Sequence, residues 1–273
     1  MRRQHAFTLI ELLVVVAIIA LLIAILLPAL SKARETAKLV VCGTQQREIS
    51  NAVNVYAAAN KGHYPPSIQG WDAGSNNWWT LPNRINYHPK PYGGSVIGLD
   101  DGWLAKRLVK YIPDVRIYFC PLSPDLPIDA QEIYVTGMSN ILNASYFMYW
   151  GYDGYMTQLP NYFRGPQKVS DARGNQLLTC DQLSWNEPGG TTFWNSAHPF
   201  VEAGPVVSSN VAGSMDTEWR STDPTETVPA ELVMNGSYVD GHVEQYRAAN
   251  DTEWYHPGYE GSHISKHYIP ASR

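Results

Sequence analysis

Phe7-Thr8-Leu9-Ile10-Glu11-Leu12-Leu13-Val14-Val15-Val16-Ala17 opens an apolar run that continues unbroken to Leu27. Glu11 is the only charge between Phe7 and Leu30. A lone carboxylate in hydrocarbon costs about 3 kcal/mol on insertion scales, so it implies a task and a partner. Phe7 to Leu30 as a helix is about 36 Å long, enough to cross a bilayer. Pro28 should kink that helix rather than end it, because the periodic pattern resumes at once. Beyond it Leu30, Ala33, Ala37, Val40, Val41, Ile49, Val53 and Tyr56 recur at three- and four-residue steps. Lys32, Arg34, Glu35, Lys38, Arg47 and Glu48 mostly fall on other faces. This pattern predicts an amphipathic continuation over residues 31–60, stopped at Asn60-Lys61-Gly62.

Residues 1–6 precede the run, carry Arg2 and Arg3, and end in the small residue Ala6. With Phe7-Thr8-Leu9-Ile10-Glu11 they resemble the amino terminus of type IV prepilins and type II secretion pseudopilins. That resemblance implies a leader at residues 1–6, cut between Ala6 and Phe7 by a prepilin peptidase that also N-methylates Phe7. It implies that Glu11 is the assembly carboxylate, neutralising the amino terminus of a neighbouring subunit. It further implies an inner-membrane assembly platform and other pseudopilin subunits as partners. A proline at the place of Pro28 is also a feature of the family, whereas Ala6 stands where the family usually has Gly. The alternatives are a cleaved secretory signal and a plain anchor. A six-residue leader, an apolar run beyond the usual signal core and no small-x-small site before Lys32 argue against the first. The cost of Glu11 argues against the second. Arg2 and Arg3 place the amino terminus in the cytoplasm and the rest of the chain outside the cytoplasmic membrane.

Residues 61–273 make a globular head, long enough for one substantial core. All nine tryptophans lie there, with nearly all of the 19 prolines. Trp103 to Tyr111 is the best helical stretch. Short apolar runs at Arg116–Cys120, Asn175–Cys180, Leu232–Met234, Ser237–Val239 and His242–Tyr246 read as strands. Val239-Asp240-Gly241-His242 places an Asp-Gly turn between the last two, the signature of a tight hairpin. The expected fold is α+β: a long kinked helix on a small antiparallel sheet with long loops, which is also the pilin plan.

Asn60-Lys61-Gly62-His63-Tyr64-Pro65, Tyr118-Phe119-Cys120-Pro121 and Asn235 to Glu244 extend the resemblance to a pseudopilin-like subgroup that ends in Asp-Gly-His. That subgroup usually has a histidine ten residues before the aspartate; this chain has Ala230. No biochemical role comes with the subgroup.

The formal charge is −5 and the head has no basic stripe, so nucleic acid is not an expected partner. Three cysteines in an exported domain suggest one disulfide and one buried thiol. Cys42 with Cys120 is the favoured pair, because Cys42 sits on the helix half that must meet the head, and Cys180 reads as strand core. No nucleophile elbow, zinc-binding helix or phosphate loop occurs, so no enzyme is expected and no cofactor is assigned. Asp100 and Asp101 read as the cap of the helix that follows. Some pseudopilins bind calcium near their last strands; here the carboxylates for it are Asp216 and Glu218, in an acidic loop, with Asp240. Their spacing fits no EF-hand. Asp240 and His242 are explained by the turn itself.

The aromatic load supports a second reading. Trp71, Trp78, Trp79, Trp150, Trp185, Trp194 and Trp219 lie mostly in Gly-, Asn- and Pro-rich segments. Indoles in such places stack on sugar rings, which would make the head a membrane-anchored module for extracellular polysaccharide, with Trp78 and Trp194 as contacts. The simpler account is that they pin long loops to the body, since each buries a large area.

Overall fold

A computed structural model of the chain describes residues 8–65, 68–72, 77–83, 85, 104–124, 126, 130–136, 141–151, 165–188, 193–199, 204–208, 214–221, 228, 230–255 and 263–271. Helix α1 runs from Leu9 to Ala59, 51 residues, with Pro28 inside it and no break. At 1.5 Å per residue it is about 76 Å long. It stops where expected. The Asn60 side chain donates to the Tyr56 carbonyl, and Lys61 and Gly62 take positive φ of 56° and 79°. The Gly62 N–H then closes on the Ala57 carbonyl.

After α1 come β1 (Ile68–Asp72), β2 (Asn77–Leu81), α2 (Leu104–Leu108), a 3-10 turn (Val115–Tyr118) and α3 (Ala130–Thr136). Strands β3 (Ile141–Leu142), β4 (Tyr146–Met148), β5 (Leu177–Asp181), β6 (Leu183–Pro188) and β7 (Phe193–Ser196) follow. The chain continues through β8 (Gly204–Ser208), β9 (Ser214–Ser221), β10 (Val233–Tyr238) and β11 (Val243–Arg247). It closes with α4 (Ala248–Asp251), β12 (Thr252–Tyr255) and β13 (His263–Pro270). The architecture is the expected α+β plan, with more sheet than the sequence suggested. A four-stranded antiparallel sheet, β11-β10-β5-β4, carries α1. A seven-stranded sheet runs β12-β13-β6-β7-β9-β3, with β8 on β9, and β1 and β2 form a separate ribbon.

Three local expectations change. Arg116–Cys120 is not a strand: Asp114 caps a 3-10 turn there, its carboxylate accepting from the Arg116 N–H and guanidinium. Leu232–Met234 and Ser237–Val239 belong to one strand, β10, rather than two, because Asn235-Gly236 sits inside a ladder instead of turning it. Val40 and Val41 face outward, 59% and 45% exposed; the buried stripe is Cys42, Gln46, Ile49, Val53, Tyr56 and Ala57. Steps of four and three run from Cys42 to Tyr56, and Ala57 follows Val53 by four, the spacing of a helix face laid along one seam.

Two apolar cores flank the four-stranded sheet. One joins α1 to α2, the 3-10 turn and α3 through Ile49, Val53, Tyr56, Leu108, Val115, Tyr118 and Tyr134. The other gathers Phe147, Cys180, Trp185, Trp194, Met234, Tyr246 and Tyr268. At Gly43 α1 packs closely on the sheet: a Cβ there would stand 3.2 Å from Val243 Cγ1 and 3.4 Å from Asn235 Oδ1. A mid-helix glycine costs about 1 kcal/mol relative to alanine, and here that cost is exchanged for close packing.

Candidate functional site

The start of α1 is held by a reciprocal capping box. The Thr8 backbone N–H donates to Glu11 Oε2 at 2.8 Å and the Thr8 hydroxyl donates to the same oxygen at 2.7 Å. The Glu11 N–H returns a bond to Thr8 Oγ1. Thr8-x-x-Glu11 is the sequence signature of that motif, a signal the reading above left unused. Its effect is to point the carboxylate back toward the amino-terminal end of the chain, where unsatisfied N–H groups and the helix dipole favour negative charge. Every described residue from Thr8 to Lys38 is exposed. The same helix is long and apolar enough to cross a membrane. It therefore fits a single-pass anchor.

Where α1 meets the head, its contact is polar along one line. Gln46, fully buried, donates to Asp181 Oδ1 at 2.8 Å and accepts from the Thr179 hydroxyl at 3.2 Å. Asp181 is also fully buried; its other oxygen accepts from the Asn235 backbone N–H at 2.5 Å and side-chain amide at 3.2 Å. Ser50 bonds the Ser237 hydroxyl, which Thr179 also meets at 2.8 Å. The pattern follows from the pleat of β10. Asn235 and Ser237 face the helix while Met234 and Tyr238 enter the second core. A buried amide or carboxylate without a partner costs about 1–3 kcal/mol, so this ladder accepts one register of helix on sheet and penalises its neighbours.

A covalent tie lies beside the ladder. Cys42 on α1 and Cys120 in the head form a disulfide with Cα atoms 5.1 Å apart, the pair the sequence reading favoured. Closing 78 residues of chain stabilises by about 4 kcal/mol in the chain-entropy account. Next to it is His198, only 2% exposed, whose Nδ1 donates to the Val233 carbonyl at 2.7 Å. Its Nε2 stands 3.3 Å from Asp181 Oδ2 without hydrogen-bond alignment. Burial disfavours the charged ring, but the neighbouring Asp181 charge and the Val233 carbonyl outweigh it and hold His198 above its ordinary pKa. No sequence motif pointed to His198, which follows β7 as a lone histidine. Cys180 is the remaining, buried thiol, pushed far up by burial and by Asp181. It is inert as a nucleophile.

Residues 1–27 match the family model described as the prokaryotic N-terminal methylation motif. This amino-terminal segment is the one that type IV prepilins and pseudopilins carry, and its match supports that family. No curated protein and no solved structure matches it. For a prepilin the motif implies processing by a prepilin peptidase and assembly with other pilin subunits. The cleavage pair Ala6 and Phe7 lies outside the described residues; Glu11 lies in the first turn of α1, and Pro28 within it.

The remaining candidates are dispersed. Asp216 and Glu218 are in strand β9, opposite Ser208 and Val206, and not in an acidic loop. Asp240 belongs to a different sheet, at the β10–β11 turn, and its carboxylate is engaged by the His242 N–H at 3.0 Å and by His242 Nδ1 at 2.5 Å. Those bonds hold the Asp240 carboxyl below its usual range. The turn is the expected hairpin, with Gly241 at φ 83° and its N–H on the Tyr238 carbonyl. It is pinned to α1 by Asn54, which donates to the Val239 carbonyl. Trp194 is corrected as a sugar contact: it is 1% exposed and its ring packs 5.2 Å from that of Tyr268. Trp78 is in β2, opposite Trp71 in register. Trp103 and the aspartates before it lie outside the described residues.

Proposed function

We propose that this prepilin is a structural subunit of a type II secretion or type IV pilus-like filament rooted in the cytoplasmic membrane. One observation carries the reading: Glu11 is the sole charge of the apolar half-helix and sits in its first turn within a methylation motif. A plain anchor has no use for that charge. Prepilin peptidase removes residues 1–6 and methylates Phe7. The mature subunit stays in the bilayer through residues 7–30, amino terminus inward, with the head outside. During assembly on an inner-membrane platform, Glu11 exchanges its own capping contacts for the positively charged amino terminus of the next subunit. Burying both charges as a pair in hydrocarbon is far less costly than burying either alone. The ladder and disulfide make α1 continuous with the head, so a subunit lifted by its helix carries the head in fixed orientation.

The test is Glu11→Ala in cells that hold the peptidase and the assembly machinery. The variant should be inserted and cleaved to the same mature mass, yet be missing from sheared filaments. Normal incorporation would remove the assembly role from Glu11.

A further inference from the structure

We infer that Cys42, Cys120 and His198 form a metal site for a thiophilic divalent cation, Zn2+ in the first place, whenever the two cysteines are thiols. Their three ligand atoms lie within 4.8 Å of one another, and all three residues are buried. Two thiolates and an imidazole are the ligand types that zinc takes in closed structural sites. Tetrahedral zinc with sulfur ligands at about 2.3 Å and nitrogen at about 2.0 Å holds its donors about 3.5–3.8 Å apart, inside the observed cluster. The two sulfurs have only to move from bonded contact to that spacing.

The second observation is independent of the cysteines. His198 donates Nδ1–H to the Val233 carbonyl, and its Nε2 is a buried ring nitrogen with no hydrogen bond. A ligating histidine is ordinarily held in this way: one nitrogen is tied to a carbonyl, which fixes the tautomer and aims the other at the metal. Asp181 Oδ2, 3.3 Å from Nε2, places an anionic oxygen beside the imidazole. Cys180 is not in the set, because its sulfur does not come together with these three ligand atoms.

The two states exchange one helix-to-head tie for another. In the metal state, Zn2+ displaces one proton from each thiol and bridges α1 to the head through Cys42, Cys120 and His198. On oxidation, the two sulfurs form one S–S bond and give two electrons to a disulfide-donating oxidoreductase, which is reduced to its dithiol as the cation leaves. A newly exported chain, whose cysteines begin as thiols, thus has its helix docked before the disulfide closes.

The experiment uses the full chain in detergent, reduced with a phosphine and titrated with Zn2+ against a chromophoric chelator. A parallel titration uses Co2+, whose thiolate charge-transfer bands report sulfur ligation. We expect one Zn2+ per reduced chain, none per oxidised chain, and a rise in the melting temperature of the reduced form on adding Zn2+. Histidine 198 is tested as His198→Gln, which should weaken binding at least tenfold and alter the cobalt spectrum, whereas Cys180→Ser should change neither. Near-UV circular dichroism checks that each reduced variant is folded, and Cys120→Ser gives a second lesion if His198→Gln is not. A reduced, folded chain that binds no Zn2+, or that binds it equally with His198 or Cys120 replaced, overturns the site.

Discussion

Gln46, in the last third of α1, donates to Asp181 in β5 at 2.8 Å, and neither side chain has any exposure to solvent. The bond couples α1 to the head at a point where apolar packing alone would let one slide along the other. Gln46→Leu keeps the volume but leaves Asp181 Oδ1 without its donor. It should cost about 1–3 kcal/mol, the penalty for an unsatisfied buried polar group. For a head of this size that lowers the melting temperature by about 2–4 °C per kcal/mol. Gln46→Glu should be worse, because it sets a second carboxylate against Asp181. Thermal unfolding of the three proteins side by side decides it; equal stability of Gln46→Leu and wild type would remove the ladder from the account of docking.

The helix was legible because apolar content and period both identify it: residues 9–27 by composition, 42–57 by three-four spacing. The hairpin at Asp240-Gly241 was legible because its turn requires a residue at positive φ, and glycine marks it. The helix-facing side of β10 was not. Asn235 and Ser237 look like solvent positions, and only the partners Gln46, Thr179 and Asp181, distant in sequence, make them interior. Val40 and Val41 misled for the complementary reason: apolar residues at helical spacing need not face the subunit's own head. His198 gave no signal because a single histidine acquires meaning only from what folds around it.

The exposed stretch of α1 predicts a clean truncation. Residues 8–38 are exposed, and buried helix positions begin at Cys42. A protein comprising residues 31–273 should therefore be soluble and folded, with the Cys42–Cys120 disulfide intact. Starting instead at Glu48 removes Cys42, Gly43 and Gln46 and should give a weakened or aggregating head. Thiol titration and near-UV circular dichroism compare them. Equal stability of the two would mean that the helix contributes nothing to the head through those residues.

Alkaline pH should unfold the head through its buried phenols. Burial raises Tyr134 to about 12, with Tyr118 opposing slightly, and raises Tyr118, Tyr146 and Tyr246 well above 10. The unfolded phenols ionise near 10. Their contribution to stability is thus complete below pH 10 and is lost as pH rises from 10 toward 12. Each such tyrosine removes about 1.4 kcal/mol per pH unit in that window. Tyrosinate absorbance should therefore rise in two stages, the second coinciding with loss of far-ultraviolet circular dichroism. Complete ionisation of all 17 tyrosines by pH 11 with the dichroism unchanged would contradict the buried placement.

The tryptophans distinguish a structural head from a sugar-binding one. Trp194 is 1% exposed in the second core, where its ring meets Tyr268. Replacing it with alanine removes a large buried side chain and leaves a cavity, at a cost of about 3–5 kcal/mol. The melting temperature should fall accordingly. Trp78 is in the β1–β2 ribbon, opposite Trp71 in register, and Trp78→Ala is the substitution that tests sugar stacking. Neither substitution should change a response to added polysaccharide, because none is expected: emission of the folded chain should stay constant across a panel of neutral and acidic glycans. A saturable shift with one glycan, abolished by Trp78→Ala while the melting temperature holds, would instead make the head a displayed binding module. A shift unaffected by Trp78→Ala would point to a sugar site elsewhere, since the Trp194 indole is sealed from solvent.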